Sequence, residues 1–339
     1  MTAVTLYDTR TLLGVVEKIE TFTPFLLTLF FPRLVLFDTA SIAIDKVAKG
    51  RAIAPFVAPM IAGKVQHHKG VKTLEFTPAH LKPKDVVDPS RLLTRKAGEG
   101  FSGELTPIQR RDAIVADILL DQDSQNKRRL EWMAAQVLTQ GKTIIEGDNY
   151  PTSEVDFGRA AENTVTLAGV KRWGQTGVSP VDDLETYAHR AEAPVTKVVM
   201  GKDAWKHLRA DLKGDNKDLL DSRRGSVSQM ELGPSAGYDV SYKGMLGGNM
   251  EIWVYTGQYD DAAGNKVSFL NDNQVILGSE AMEGVRAFGA ILSPSAGYRA
   301  MESFPRHFIS PDPEVEYLET RCAPLLIPVR ADAVVCVNV

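Results

Sequence analysis

Several short stretches of the chain carry residue types and spacings that could do chemistry. Gly98-Glu99-Gly100-Phe101-Ser102-Gly103 spells the GxGxxG turn that cradles a dinucleotide pyrophosphate. That motif needs a buried strand before it and an acidic residue beyond a second strand. Here Arg91 to Lys96 precede it, too polar for a central strand, and a long helical pattern follows, so the glycines read as a hinge. Gly141-Lys142-Thr143 resembles the end of a phosphate-binding loop, but the earlier glycine position holds Gln136. These residues also end a helix, whereas phosphates bind where a helix begins. Asp121-Gln122-Asp123-Ser124-Gln125 starts like a calcium loop, yet Asn126 takes the glycine position and Trp132 the bidentate glutamate position. His67-His68 are adjacent, so on a hairpin they point to opposite faces and read as a solvated tip. No GxSxG, HExxH or CxxC occurs. The expectation is no enzyme, no cofactor and no metal.

The remaining candidates are charges and thiols. Arg110-Arg111 and Arg128-Arg129 are 18 residues apart, about five helical turns, and therefore share a face. A stripe facing DNA phosphates is one reading. Asp117 and Asp121 fall on the same face, which favours a mixed-charge, solvated or inter-subunit surface. Cys322 and Cys336 lack the paired spacing of a zinc site or a disulfide framework and read as two buried, reduced thiols.

The elements that must position these groups follow from the pattern. Thr106-Pro107-Ile108-Gln109 supplies an N-cap, a proline at the first helical position and a capping-box glutamine; Gly141 supplies the stop. The spacing predicts one helix over 106–141, roughly 54 Å long. Ile108, Val115, Leu119, Leu130, Met133 and Val137 form its apolar stripe. Gln122 and Asn126 interrupt that stripe, so the helix should pack at its ends and be less buried at its centre. Residues 51–100 read as a long β-hairpin, with limbs Ala54–Val65 and Val71–Phe76 around a Gln66–Gly70 tip. Pro55, Pro59, Pro78, Pro83 and Pro89 confine these strands to edges. Such a hairpin is marginal alone and needs other surface to lie on. From 143 onward the texture is mixed α+β. Strands are expected at 195–200, 251–256, 275–277, 284–292 and 333–339, with a helix around 203–212 carrying Trp205 and Leu208.

Composition sets the outer bounds. The 339 residues make about two domains. At 44% hydrophobic and 24% charged they can build a core, which excludes a disordered or fibrous chain. The net charge of -4 (39 basic against 43 acidic) lacks the basic excess of a protein that grips nucleic acid. Phe22 to Phe37 is the most apolar stretch, but Pro24, Pro32 and Arg33 break it below the length of a membrane span. No signal peptide is expected, because Asp8, Arg10, Glu17 and Lys18 precede that run. Residues 1–50 read as an extended arm whose apolar patch has no place in its own core.

The order of parts, together with particular residues, resembles the major capsid proteins of tailed bacteriophages, the lambda group above all. The matching stretches include Phe25-Leu26-Leu27-Thr28-Leu29-Phe30-Phe31, Phe76-Thr77-Pro78-Ala79-His80-Leu81-Lys82-Pro83-Lys84 and Val155-Asp156-Phe157-Gly158-Arg159-Ala160-Ala161-Glu162-Asn163. Further matches are Ser222-Arg223-Arg224-Gly225-Ser226, Val240-Ser241-Tyr242-Lys243-Gly244-Met245, Val254-Tyr255-Thr256-Gly257-Gln258-Tyr259 and Cys322-Ala323-Pro324-Leu325-Leu326. They are collinear and span nearly the whole chain. The resemblance implies an α+β fold with an N-terminal arm (1–50), an extended β-hairpin E-loop (51–100), a P-domain (101–165 with 311–339) carrying the spine helix 106–141, and an axial A-domain (166–310). It implies self-assembly as pentamers and hexamers into an icosahedral head that encloses double-stranded DNA without sequence-specific binding. Scaffold, portal and decoration or cement proteins would be partners, and a procapsid would expand on maturation. The protein would reside in the virion, assembled in the host cytoplasm, with no membrane partner. A nanocompartment shell of the same fold is the alternative. On this view Phe25, Leu29, Phe30, Phe31, Phe76, Thr77, Pro78, Lys82, Pro83 and Lys84 form the surface for neighbouring subunits or a decoration protein. Gly98, Gly100 and Gly103 form a hinge between hairpin and helix.

Overall fold

The computed structural model describes residues 22–39, 41–47, 71–88, 106–147, 150–213, 220–221, 223–224, 227–228, 239–261, 263–312 and 314–339. The long helix runs Pro107–Gln140, a strut across the molecule. Thr106 accepts from the Gln109 amide while the Gln109 side chain bonds back to the Thr106 amide, closing the capping box. Gly141 ends the helix in the left-handed region at φ 72°. Val115, Leu119, Leu130, Met133 and Val137 are buried as the stripe predicts, but Ile108 is 65% exposed.

The middle of the strut corrects the expectation. Gln122 is fully buried and Asn126 is buried with it. The Gln122 amide donates to Asp85 Oδ2 at 2.7 Å and to the Leu318 carbonyl at 3.0 Å, and its oxygen accepts from the Thr320 hydroxyl at 2.6 Å. A polar side chain is tolerated inside when its donors and acceptor are all used.

Three sheets of three or more strands pack around the strut. Phe304–Pro311, Glu314–Arg321 and Lys84–Val87 make an antiparallel sheet against its first half, sharing a small core of Val87, Ile114, Val115, Leu119 and Leu318. Arg33–Leu36, Gly284–Phe288 and Pro324–Pro328 make a second sheet, beside the last turns of the strut. The largest sheet has seven strands in the order Thr164–Thr166, Val335–Asn338, Gln274–Gly278, Lys197–Met200, Met250–Tyr255, Val240–Leu246, Leu220–Asp221. Alternation along Lys197–Met200 sends Val198 and Met200 to a cluster under helices Pro180–Arg190 and Lys202–Leu212, and Val199 to the central core. Trp205 and Leu208 are buried in that cluster.

The strand expected at 284–292 ends at Phe288, and the last strand begins at Val335 after a 3-10 turn, Ala331–Ala333. Val71–Phe76 pairs with Ile42–Val47, upstream of the expected limb Ala54–Val65, which lies outside the described residues. The ribbon therefore begins inside the stretch read as arm. The expected boundary at 310/311 falls within strand Phe304–Pro311, and strand Val335–Asn338 pairs antiparallel with strand Gln274–Gly278.

Candidate assembly surfaces

The arm is the first surface to place. Phe25–Phe30 is a short helix, not an extended run, and it sits in the central core. Phe25, Phe30 and Phe31 are buried with Leu26 and Leu27 against Leu130 to Leu138 of the strut and against the Gly284–Phe288 sheet. This corrects the reading that these phenylalanines wait for a neighbour: the subunit's own core takes them. Leu29 is half-buried at the edge of the same core. The arm backbone is tied down as well. The Glu131 carboxylate accepts the amides of Phe25, Leu26 and Leu27 at 3.1, 2.8 and 2.9 Å, and the Tyr255 hydroxyl at 2.8 Å. Burial pushes the Glu131 carboxyl above its ordinary range, while the three amides and the tyrosine pull it back; the net direction is up.

The second surface is the path from the Ile42–Val47/Val71–Phe76 ribbon to the sheet over the strut. Phe76 is half-buried with its ring 6.4 Å from that of Phe157. Thr77 is exposed and Pro78 is buried over Gly289, where a Cβ would lie 2.6 Å from the proline ring. Leu81 exchanges backbone bonds with Cys322 at 2.8 and 3.1 Å, and the Pro83 carbonyl accepts the Thr320 amide at 3.1 Å. Lys82 and Lys84 remain exposed, with the Lys84 ammonium 3.7 Å above the Tyr317 ring. Of the expected surface residues, Thr77, Lys82, Pro83 and Lys84 thus share one accessible track, with Phe76 half-exposed at its start. Gly98, Gly100, Gly103, His67 and His68 lie outside the described residues.

Three of the four arginines are drawn to separate partners within the chain. Arg111 turns onto the sheet and bonds Glu316 at 2.8 Å, where His307 also meets that carboxylate at 2.6 Å. Burial holds the His307 imidazole below its ordinary value, with Glu316 opposing. Arg128 lies 5.5 Å over the Phe22 ring and Arg129 4.9 Å over Trp132. These guanidiniums serve the arm, the sheet and the strut itself.

Sequence reasoning missed Glu131, because a lone glutamate in a helix has no pattern that marks it as buried. It also missed Arg159, whose guanidinium donates to the carbonyls of Leu138 and Thr139 and to the Thr164 hydroxyl. Cys322 and Cys336 are free and buried, as read from their spacing, and burial pushes both thiols up to about 12. Among the described residues, no group of three or more His, Cys, Asp or Glu could hold a metal ion. No helix among them is long and apolar enough to cross a membrane.

The family model for phage major capsid protein E matches residues 8–339. The chain belongs to that family. It is 33% identical over 341 residues to the major capsid protein of Escherichia phage lambda, covering 98% of this chain and 99% of that one. The major capsid protein of Enterobacteria phage phi80 is 33% identical with 98% of each chain covered. The crystal structure of a prophage capsid protein from Escherichia coli CFT073 superposes with a TM-score of 0.77 at 28% identity, over 99% of this chain and 100% of that one. The mature capsid of bacteriophage PhiM1 superposes with a TM-score of 0.51 at 12% identity, which shows the fold alone. The strut helix, the three sheets and the docked arm are therefore the α+β tailed-phage major capsid fold. This capsid protein is a structural subunit of a phage head, a shell built by self-association, and its place is the virion.

Proposed function

We propose that this capsid protein assembles as pentamers and hexamers into a closed icosahedral head around double-stranded DNA, first as a compact procapsid that then expands. The observation that carries the reading is the collinear match over residues 8–339 to a family of phage major capsid proteins. The charge supports it: a shell of subunits that each carry a net charge of -4 tolerates DNA without the counterion release that would hold it fast. In this reading the arm is 1–50, the E-loop 51–100, the P-domain 101–165 with 311–339, and the A-domain 166–310. The hairpin Phe304–Arg321 moves as one unit with the strut, because Leu318 shares a core with Ile114, Val115 and Leu119. Scaffold, portal and decoration proteins are the further partners, and assembly takes place in the host cytoplasm. Leu29, Phe76, Thr77, Pro78, Lys82, Pro83 and Lys84 supply the contact surface, with Pro78 as its buried support.

Negative-stain microscopy of purified particles, with nuclease protection, tests the reading. Closed shells holding nuclease-protected DNA are expected. Shells filled with protein would make it a nanocompartment, and monomers alone would overturn self-assembly. Gly98, Gly100 and Gly103 are the hinge of expansion in this reading. Proline at all three should leave procapsids that do not expand, and normal expansion would remove them from that role.

A further inference from the structure

A cavity of about 300 Å³ lies beside the second half of the strut, between residues 79–81 and the hairpin formed by Lys142–Gly147 and Tyr150–Asp156. Trp132, Ile145 and Tyr150 line it, with the half-buried His80. Sites that hold small organic molecules begin at about this volume, and they combine apolar walls with a few polar groups that fix orientation. The polar group here is Thr143. It is fully buried, and its hydroxyl meets no donor or acceptor among the described residues. Buried hydroxyls are normally paired, because an unpaired one has lost its hydration for nothing. Thr143 stands opposite Val155 in the hairpin, a buried strand position that valine would fill as well, so the fold has no need of the hydroxyl.

His80 adds a second polar group. Burial, then Lys82 and Arg321, hold its imidazole below the ordinary value, so near neutral pH it is uncharged, with one donor and one acceptor nitrogen. The Arg129 guanidinium lies 4.9 Å over the Trp132 ring, and the exposed Glu146 sets an opposite charge on the same lining. These features select a ligand. An ion would give up its hydration without a net opposite charge to replace it. A saturated hydrocarbon would leave the hydroxyl unpaired, and a sugar would set its own hydroxyls against apolar walls. We propose that this cavity binds an uncharged aromatic molecule of one or two rings with one polar hydrogen, of the phenol or indole class, with the Thr143 hydroxyl as acceptor. The site belongs to the single subunit and does not depend on assembly.

The test uses the full chain as the unassembled subunit and reads fluorine NMR of two probes. One is a fluoroindole; the other is a fluoronaphthalene, similar in size but without a polar hydrogen. The fluoroindole should bind saturably with a Kd below about 1 mM, and the fluoronaphthalene about fivefold more weakly. Thr143→Val keeps the shape and removes the acceptor. It should erase that difference and leave the urea midpoint of the free subunit unchanged or raised. Tyr150→Ala, at an exposed position of the lining, should weaken both probes about threefold, and Ala79→Phe should exclude both. Absence of saturable fluoroindole binding to the wild type would overturn the proposal. Equal affinity for the two probes, or a difference that survives Thr143→Val, would overturn the ligand class. A clear loss of stability in Thr143→Val would mean that the hydroxyl is already satisfied. Binding unchanged by Tyr150→Ala, or surviving Ala79→Phe, would put the ligand elsewhere, and either result would remove the assignment.

Discussion

The end of the strut helix offers a prediction that can be worked from distances. Gly141 sits at φ 72° and ψ 11°, with its amide on the Val137 carbonyl at 2.9 Å. Alanine there loses about 1–2 kcal/mol from the left-handed backbone alone. The new Cβ would also lie 2.8 Å from Arg159 Cβ and 2.9 Å from Arg159 Nε. The root of a side chain cannot swing aside like its tip, so residue 159 must move. Its guanidinium, held at 2.7 Å from the Leu138 carbonyl and 2.6 Å from the Thr139 carbonyl, satisfies acceptors that a helix end leaves open. Losing one such charge-assisted bond adds about 1.5–3 kcal/mol. Gly141→Ala should therefore destabilise the unassembled subunit by about 2.5–5 kcal/mol, the sum of those two ranges. The assay is urea unfolding, read as a lower midpoint at unchanged slope. Arg159→Ala and the double variant complete a cycle. Because Gly141→Ala already displaces the arginine, the double variant should cost at least about 1 kcal/mol less than the two singles added. A loss below about 1 kcal/mol for Gly141→Ala, or additivity within about 0.5 kcal/mol, would refute the clamp.

Gln122→Ala strands Asp85, the Leu318 carbonyl and the Thr320 hydroxyl together, and should lower stability by about 2–4 kcal/mol in the same assay. A loss under about 0.5 kcal/mol would mean that the network is dispensable. Cys322 and Cys336, pushed up to about 12, should resist alkylation at pH 8 in the folded subunit by about 1,000-fold relative to the unfolded chain. The sign follows from the raised values. The stability these thiols contribute is complete below their unfolded range near 9 and is lost as pH climbs toward 12. Rapid labelling at pH 8 would contradict the burial. A Cβ on Gly284 would collide with the Phe30 carbonyl, so Gly284→Ala should cost about 1–3 kcal/mol and raise amide exchange along Arg33–Leu36; wild-type exchange there would refute it.

Much of the fold was legible because local rules act locally. Thr106, Pro107, Gln109 and Gly141 mark both ends of the strut to within a residue, and β-branched alternation marks Lys197–Met200 and Gln274–Gly278. The helix Pro180–Arg190 carried equally plain signals, with Ser179 as cap, Pro180 at the first position and Asp182 and Asp183 in the first turn. Its apolar face is narrow, Val181, Leu184 and Tyr187 among charges, so the periodicity that would mark a helix there is weak. Pairing was less legible. Val71–Phe76 could meet any strand of matching length, and its partner Ile42–Val47 is fixed by where the arm docks, which no short-range rule specifies.

The arm shows where such reading stops and why. An apolar run broken by prolines states that the segment will be buried, and nothing more, because hydrophobic burial has no direction and does not distinguish its own core from a neighbour's. Phe25, Leu26, Phe30 and Phe31 would satisfy either. The polar contact decides. Three amides converging on one carboxylate of the same chain can be met by few alternative geometries, since a misplaced partner leaves the charge buried and unpaired. Gln122 fixes the sheet over the strut in the same way. Both residues lie on the helix that spans the subunit, so the apolar stripe holds the parts together while two polar side chains specify which parts, and in what register.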